Sequence, residues 1–263
     1  NNSKSKFMKV LGFIPARSGS KGVKNKNIKK IKGIPLLEFS VYAAEKSMEK
    51  GYISDILVST DSKDYLELVS KYSIIRGYLR PANLATDASP TIDSVIHGLS
   101  WLRKEKGKIF DAVMILQPTS PFRTPNHINE AIRLLQKNKL CTCVASIKKL
   151  ADHHPKRIKQ LNEKGQLLDY CNHAKEPEPS RRQDFLPHAF IRNGAIYLTR
   201  TKFLIEKKLI RGDHVIGMEM PESNSINIDE HFDFISASAA LQYKEFNEDL
   251  EFFSKFINSK QKK

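Results

Sequence analysis

The sequence predicts an α/β protein with a mostly parallel, twisted sheet flanked by helices. Short apolar runs typical of buried strands alternate along the chain with longer segments whose apolar residues recur at helical spacing. Polar loops follow the strands, and in sheets of this kind ligands bind at the carboxyl ends of the strands. The 263 residues, 40% of them hydrophobic, fit one domain spanning 1–263.

The first part of the chain predicts three strands and three helices in turn. Strands are predicted at short apolar runs, and helices where apolar residues recur every three or four residues. Proline residues at two helix starts suit a first turn, where no amide donor is needed. In chain order we predict a strand at 8–16, a helix from Pro35, a strand at 56–60, a helix at 64–72, a strand at 74–78 and a helix at 90–106.

The second part continues the alternation, with one interruption. We predict a strand at 110–116, a helix from Thr124-Pro125, a strand at 142–147, a strand at 193–199 and a helix from Glu230. In the last helix, Phe232, Ile235, Ala239 and Leu241 are expected to pack against the core. The basic tail from Ser259 is expected to be a frayed, solvated end.

Residues 148–190 interrupt the pattern. The segment is polar and Pro-rich, and it is too long for an ordinary loop. We expect an irregular inserted arm that serves dimerisation or acts as a lid, and therefore a homodimer.

The net charge of +15 indicates an anionic partner. Ten Lys or Arg residues and no acidic residue occur in positions 1–35. No zinc-finger, helix-turn-helix or RNA-binding signature accompanies this charge, so a nucleic-acid partner is not expected. No apolar stretch approaches membrane-spanning length, so we expect no membrane partner. The three cysteines are odd in number, which favours a reducing compartment, and we therefore expect a cytoplasmic protein.

The loop at 14–22, Ile-Pro-Ala-Arg-Ser-Gly-Ser-Lys-Gly, directly follows the first predicted strand. Small residues let backbone amides approach an anion, and the nearby cations can neutralise several phosphate charges. The loop matches neither the standard P-loop nor the Gly-x-Gly-x-x-Gly fingerprint. Its spacing leaves two interpretations open, a triphosphate site and a solvated lysine-rich loop.

Five blocks in fixed order carry a family resemblance. They are IPARSGSKG at 14–22, VSTD at 58–61, LRPANLA at 79–85, LQPTSPFRT at 116–124 and NGAIY at 193–197. In these blocks the chain resembles the acylneuraminate cytidylyltransferases, also called CMP-sialic acid synthases. The resemblance implies a nucleotide-diphospho-sugar transferase-like fold, the substrates CTP and a nonulosonic acid, and attack of the anomeric hydroxyl on the α-phosphate with release of pyrophosphate.

The resemblance also implies roles for particular residues. The expected nucleotide-binding residues are Arg17, Ser20, Lys21, Lys26, Asn27 and Arg80. The expected catalytic residues are Arg17, Lys21 and Asp229. The expected sugar-binding residues are Gln117, Arg157, Arg182 and Tyr197, with the two arginines paired to the sugar carboxylate, in one reading across a dimer interface.

Magnesium is the expected cofactor, held by Asp229 and Asn227. Alternation along an extended segment places these two residues on one side. The synthases often have Asp at both positions, whereas an Asn supplies neither charge nor a base. Asp61 and Asp87 are reserve candidates, for which a turn and a loop role are favoured.

The acceptor stays open among sialic, legionaminic, pseudaminic and ketodeoxyoctonic acids. A non-catalytic nucleotide-binding relative is the alternative from another functional class.

Overall fold

A computed structural model of the chain describes residues 8–19, 22–150, 153–171, 176–178, 181, 185–242 and 248–261. The strands are β1 (Val10–Pro15), β2 (Lys30–Ile31), β3 (Ile34–Pro35), β4 (Asp55–Ser59), β5 (Ala112–Ile115), β6 (Cys143–Lys149), β7 (Lys159–Leu161), β8 (Leu167–Asp169), β9 (Phe190–Arg200) and β10 (Val215–Glu219). The helices are α1 (Leu36–Glu49), α2 (Lys63–Leu68), α3 (Thr91–Lys106), α4 (Pro125–Lys137), α5 (Thr201–Lys207), α6 (His231–Ala240) and α7 (Glu248–Gln261).

The main sheet confirms the predicted fold class. Its strands lie in the order β10-β6-β9-β5-β1-β4, and β9 runs antiparallel to both of its neighbours while the other pairs are parallel. The chain leaves β1 for β4 on one side and later returns to β5 on the other. This change of direction opens a crevice at the carboxyl ends of β1 and β5, where ligands bind in sheets of this kind.

Alternate residues of the central strands pack against two helical layers, as the pleat of a strand requires. On one face, α1 and α4 cover Ile14, Val58 and Met114. On the other face, α3 and α5 cover Phe13 and Val113. Both faces of these strands are therefore buried, which is why the strands appear in the sequence as continuous apolar runs.

The guanidinium of Arg123 is fully buried between three elements. Its Nε donates to the carbonyl oxygen of Ala195 in β9 at 2.7 Å, and Nη1 donates to Oγ of Ser40 in α1 at 2.7 Å. Nη2 donates to the carbonyl oxygen of Gln117, directly beyond β5. Burial lowers the pKa of Arg123 to about 9, so the side chain is still protonated at neutral pH.

The predicted strand at 74–78 was wrong. The segment runs beside the edge strand β4, and the amide of Ile75 donates to the carbonyl oxygen of Ile56 at 2.8 Å. Gly77 then takes a left-handed backbone conformation with φ of 87°, which ends any extended pairing. The preceding helix is also shorter than the predicted 64–72, because α2 ends at Leu68.

The last predicted helix exists, but its buried face was assigned wrongly. Phe232 and Ile235 are 70% and 65% exposed, and Ala239 is exposed too. Ala237 is buried in the core instead, and Leu241 is buried as predicted. The expected frayed tail is wrong for residues 259–261, because α7 continues through Gln261; residues 262 and 263 lie outside the described residues.

The arm at 148–190 contains, in its described part, a short antiparallel hairpin of β7 and β8 and a single 3-10 turn at Pro155–Arg157. The hairpin carries exposed apolar side chains, with Leu161 at 70% and Leu167 at 66% exposure. This apolar exposure distinguishes the arm from an ordinary polar loop.

We expect Arg123→Met to lower the free energy of unfolding by about 3 kcal/mol or more, because each buried acceptor left without a donor costs about 1–3 kcal/mol. Chemical denaturation followed by circular dichroism measures this loss. The matched change Arg103→Met, at an exposed position of α3, should stay within about 0.5 kcal/mol of wild type. Equal losses in the two variants would refute the structural role given to Arg123.

Candidate active site

A cavity of about 650 Å³ opens at the carboxyl ends of β1 and β5. Its walls come from the loop after β1, the loop after β5, the turn before α3 and the segment before α6. Of the residues predicted to bind the nucleotide or metal, it is lined by Arg17, Lys26, Asn27, Arg80, Asn227 and Asp229. The topology thus brings residues from distant parts of the chain to one place.

The loop after β1 is anchored to the end of β4 by Asp61. Ser18 donates to this carboxylate twice, from its amide at 2.8 Å and from its hydroxyl at 2.7 Å. Burial alone would raise the pKa of Asp61, but the hydrogen bonds from Ser18 outweigh it and lower that pKa. Asp61 therefore holds the loop in place. Ser20 and Lys21 lie outside the described residues, so their predicted roles remain predictions.

The cations of this loop are paired with carboxylates that also line the cavity. Arg17 forms an ion pair with Asp87, and Nζ of Lys26 lies 3.1 Å from a carboxylate oxygen of Asp229. The side-chain amide of Asn27 donates to the backbone carbonyl oxygen of Arg17 at 3.0 Å, which fixes the curvature of the loop. The ion pairs hold the cationic side chains at the cavity wall.

Arg80 also lines the cavity, but its guanidinium is largely committed to the protein. It is 6% exposed and donates from Nε to the hydroxyl of Ser59 at 2.9 Å and from Nη2 to the carbonyl oxygen of the same residue. Burial lowers its pKa. Arg80 therefore supports the wall of the cavity as well as contributing positive charge.

The segment before α6 presents Asn227 and Asp229 on one side, as alternation predicts. Ile228 between them is buried, and its amide donates to the carbonyl oxygen of Thr119 at 2.7 Å. The side-chain amide of Asn227 donates to Asp229. The backbone amide of Asp229 donates to the carboxylate of Asp233 at 2.8 Å, which fixes the segment at the start of α6.

Gly22 is where the loop after β1 meets this segment. A Cβ atom at Gly22 would lie 2.8 Å from the carbonyl oxygen of Asp229, which is closer than side chains tolerate. The absence of a side chain therefore permits the two halves of the cavity to approach one another.

A second cavity of about 700 Å³ adjoins the first. Gln117, Asn227 and Asp229 line both cavities. The second cavity is otherwise bounded mainly by β9, where the predicted sugar-binding residue Tyr197 lies. Gly194 in β9 has φ of 74°, and a Cβ atom there would lie 3.2 Å from Oε1 of Gln117.

The residues available for a cation are oxygen donors. Within the described part of the chain, no group of three or more His, Cys, Asp or Glu side chains could hold a metal by itself. Asp229 offers an exposed carboxylate, and the Asn227 carbonyl oxygen lies 3.4 Å from the hydroxyl of Ser120. Mg²⁺ commonly takes one or two carboxylates together with phosphate oxygens and water, so this donor set fits a site completed by a nucleotide.

Comparison with models of known families shows to which family the chain belongs. A model of the family described as Cytidylyltransferase matches residues 11–220. The chain belongs to the cytidylyltransferase family. The match spans all the elements that line the two cavities except the segment before α6 and the first turn of α6.

Individual relatives agree with this assignment. The chain is 29% identical over 254 residues to the N-acylneuraminate cytidylyltransferase of Escherichia coli O18:K1:H7, covering 95% of this chain and 56% of that relative. It is 30% identical over 236 residues to the CMP-N,N'-diacetyllegionaminic acid synthase of Legionella pneumophila, covering 86% of this chain and 94% of that protein. This cytidylyltransferase thus spans little more than half of the first relative and nearly all of the second.

A solved structure supports the fold of this cytidylyltransferase. The CMP:2-keto-3-deoxy-manno-octonic acid synthetase complexed with CTP superposes with a TM-score of 0.61 at 15% identity, covering 90% of this chain and 99% of that one.

None of the helices in the described part of the chain has the length and apolar character that a membrane span requires.

Neither of the two arginines predicted to bind the sugar is found at the cavities of this cytidylyltransferase. Arg157 lines neither cavity; its Nε lies 3.2 Å from Glu176, and its guanidinium lies 5.0 Å from the ring centroid of Phe185. Arg182 lies outside the described residues. A role for either in sugar binding therefore remains a prediction.

Sequence reasoning missed other residues that line the cavities of this cytidylyltransferase. Asp87, to which a loop role was assigned, pairs with Arg17 at the first cavity, and Thr91 brings the amino end of α3 to the same cavity. Lys148 and Arg192 line the second cavity. The position of Lys148 near the carboxyl end of a predicted strand was a usable signal, whereas Arg192 lay just outside the predicted strand at 193–199.

We expect Gly22→Ala to lower the free energy of unfolding by about 1–3 kcal/mol, because the added methyl group forces apart the loop after β1 and the backbone at Asp229. Gly19→Ala in the same loop is the matched control, since nothing lies within 4 Å of a Cβ atom there. Denaturant unfolding of both variants measures the difference. If Gly22→Ala proved as stable as Gly19→Ala, the close approach would not exist in solution.

Proposed function

We propose that this cytidylyltransferase transfers CMP from CTP to the anomeric hydroxyl of a sialic-acid-like nonulosonic acid and releases pyrophosphate. The observation that carries the proposal is the pair of adjoining cavities that share Gln117, Asn227 and Asp229. One cavity contains the cations that a triphosphate requires, and the other offers room for an acceptor. A reacting phosphate can therefore lie at the shared wall, within reach of both.

The cations of the first cavity are suited to the triphosphate. Arg17 offers a planar fork for two phosphate oxygens, while Lys26 acts as a point charge. In the absence of phosphate, each is held at the cavity by a carboxylate, Asp87 and Asp229 respectively. Phosphate oxygens can replace these partners without a large movement of the side chains, so the site is preorganised for an anion.

Nucleotidyl transfer at this site depends on alignment and charge neutralisation. The acceptor hydroxyl oxygen forms a bond to the α-phosphorus, and the bond from that phosphorus to the oxygen of the β-phosphate breaks. The hydroxyl proton passes to solvent water, which balances the step. Arg17 and Lys26 offset the charge that accumulates on the departing pyrophosphate.

We propose that Asp229, through its carboxylate, and Asn227, through its carbonyl oxygen, hold Mg²⁺ together with the nucleotide. Mg²⁺ held there would supply neutralising charge and would lower the pKa of the acceptor hydroxyl. Asp229 is kept in place for this role by Asp233, which accepts from its backbone amide at 2.8 Å.

We also propose a cytoplasmic homodimer formed through the arm at 148–190. Leu161, Leu167 and Tyr170 are 70%, 66% and 63% exposed on or next to the hairpin, which leaves apolar area that a second copy would cover. The thiols of all three cysteines are free, in keeping with a reducing compartment.

Pyrophosphate release tests the proposed reaction. We expect release only when CTP, Mg²⁺ and an acceptor are all present, with the acceptors drawn from sialic, legionaminic, pseudaminic and ketodeoxyoctonic acids. The acid with the highest kcat/KM identifies the acceptor class. CTP-induced thermal stabilisation without release with any acid would instead favour the non-catalytic nucleotide-binding alternative.

In the same assay, Asp229→Asn should lower kcat by about 100-fold or more, because loss of the carboxylate removes several kcal/mol of charge stabilisation at the phosphates. The variant should also require more Mg²⁺ for half-maximal rate. Asp213→Asn is the matched control, since Asp213 is exposed and lines neither cavity. A wild-type magnesium requirement in Asp229→Asn would exclude Asp229 as the ligand.

Sedimentation equilibrium tests the dimer. The double change Leu161→Ser and Leu167→Ser should shift the protein towards monomer, since it removes apolar area that we place at the interface. Leu140→Ser, at a leucine 84% exposed outside the arm, should leave the mass unchanged. A wild-type protein that sediments as a monomer would disprove the dimer directly.

A further inference from the structure

The charges around the second cavity are unevenly compensated. Two cationic residues, Lys148 and Arg192, and three acidic residues, Glu222, Asp229 and Asp233, line it. A charged side chain that already has a partner is less available to a ligand than one that has none. The partners of these five residues therefore indicate which of them is free to bind an acceptor.

Each of the three carboxylates has a partner within the chain. Asp229 pairs with Lys26 at 3.1 Å. Asp233 accepts from the backbone amides of Asp229 and Glu230, both at 2.8 Å. Glu222 lies 3.8 Å from Nζ of Lys148. Each of the three carboxylates is therefore already engaged by a group of the protein itself.

Arg192 differs from these groups. Within the part of the chain that the structure describes, its side chain forms no ion pair and no hydrogen bond, and the residue is exposed. The pairing of Lys148 with Glu222 is long, and the Glu222 side chain is 79% exposed, so this ion pair is weak and exchangeable. The cavity therefore offers one free guanidinium and one weakly held ammonium group.

The backbone that presents Arg192 is fixed. Arg192 lies opposite Ile147 in the pairing of β9 with β6. The next residue, Asn193, is buried. Its side-chain Nδ2 donates to the hydroxyl of Ser225 at 2.8 Å, and its side-chain Oδ1 accepts from the hydroxyl of Ser146 at 2.6 Å. Gly194, two residues after Arg192, lies against Gln117 on the wall that the two cavities share. Arg192 thus has a set position relative to the reacting centre.

We propose that Arg192, assisted by Lys148, binds the carboxylate of the acceptor sugar and thereby selects acidic over neutral sugars. The assignment rests on the proposed function. A guanidinium matches a carboxylate with two parallel hydrogen bonds, which fixes the orientation of the sugar as well as its charge. The residue does this within one subunit, without the arm arginines Arg157 and Arg182.

The test compares the wild-type enzyme and Arg192→Ala in steady-state kinetics. Each acceptor acid of the panel is used beside its methyl ester, in which the carboxylate charge is removed. We expect the KM for the acid to rise about 10-fold or more in Arg192→Ala, because a charge-assisted pair is lost. The KM for CTP and the kcat/KM for the ester should stay within about twofold of wild type. The KM of Arg192→Lys for the acid should lie between the values of the wild type and Arg192→Ala, because lysine keeps the charge but loses the planar fork of the guanidinium.

Lys149→Ala is the matched control, since Lys149 is the neighbour of Lys148 in β6 and lines neither of the two cavities. It removes the same unit of charge from the same region and should leave the KM for the acid unchanged. An equal rise in KM for the acid and the ester in Arg192→Ala would overturn the assignment, as would no rise at all, while the proposed reaction would stand. Absence of turnover by the wild type with every acid would overturn both.

Discussion

The guanidinium of Arg123 is the contact on which the geometry of the whole catalytic edge depends. It bonds to the carbonyl oxygens of Gln117 and Ala195 and to the hydroxyl of Ser40, and so joins the end of β5, the middle of β9 and helix α1. Because Gln117 lies on the wall between the two cavities, this one buried cation determines where the wall stands. The desolvation that lowers its pKa is offset by three hydrogen bonds.

The charged groups of the site illustrate a second constraint. A cluster of cations without counter-ions would repel itself and open the loop after β1. The protein avoids this by pairing Arg17 with Asp87 and Lys26 with Asp229 while both cations still line the cavity. The internal carboxylates thus keep the loop compact.

The sequence was sufficient to predict the layered fold, because alternating strands and helices follow general rules of α/β topology. The meeting of the loop after β1 with Asp229 was implied by the family resemblance of the motif blocks. The sequence was not sufficient to predict which face of α6 is buried. Residues 232, 235 and 239 and residues 234, 237 and 241 form two apolar stripes with the same spacing, so periodicity alone could not identify the buried one. The second stripe is buried because α7 packs against it, and a contact between two separate helices cannot be predicted from the sequence of α6 alone. The structural role of Arg123 could not be predicted either, because two of its three partners, Ser40 and Ala195, are distant along the chain.

The wall formed by Gln117, Asn227 and Asp229 has a thermodynamic consequence. A side chain that touches two ligands at once cannot respond to one without changing its contacts with the other. Occupancy of either cavity should therefore alter affinity at the other, and linkage requires that the effect be equal in both directions. Ligands in the two cavities would then act as reciprocal effectors of one another.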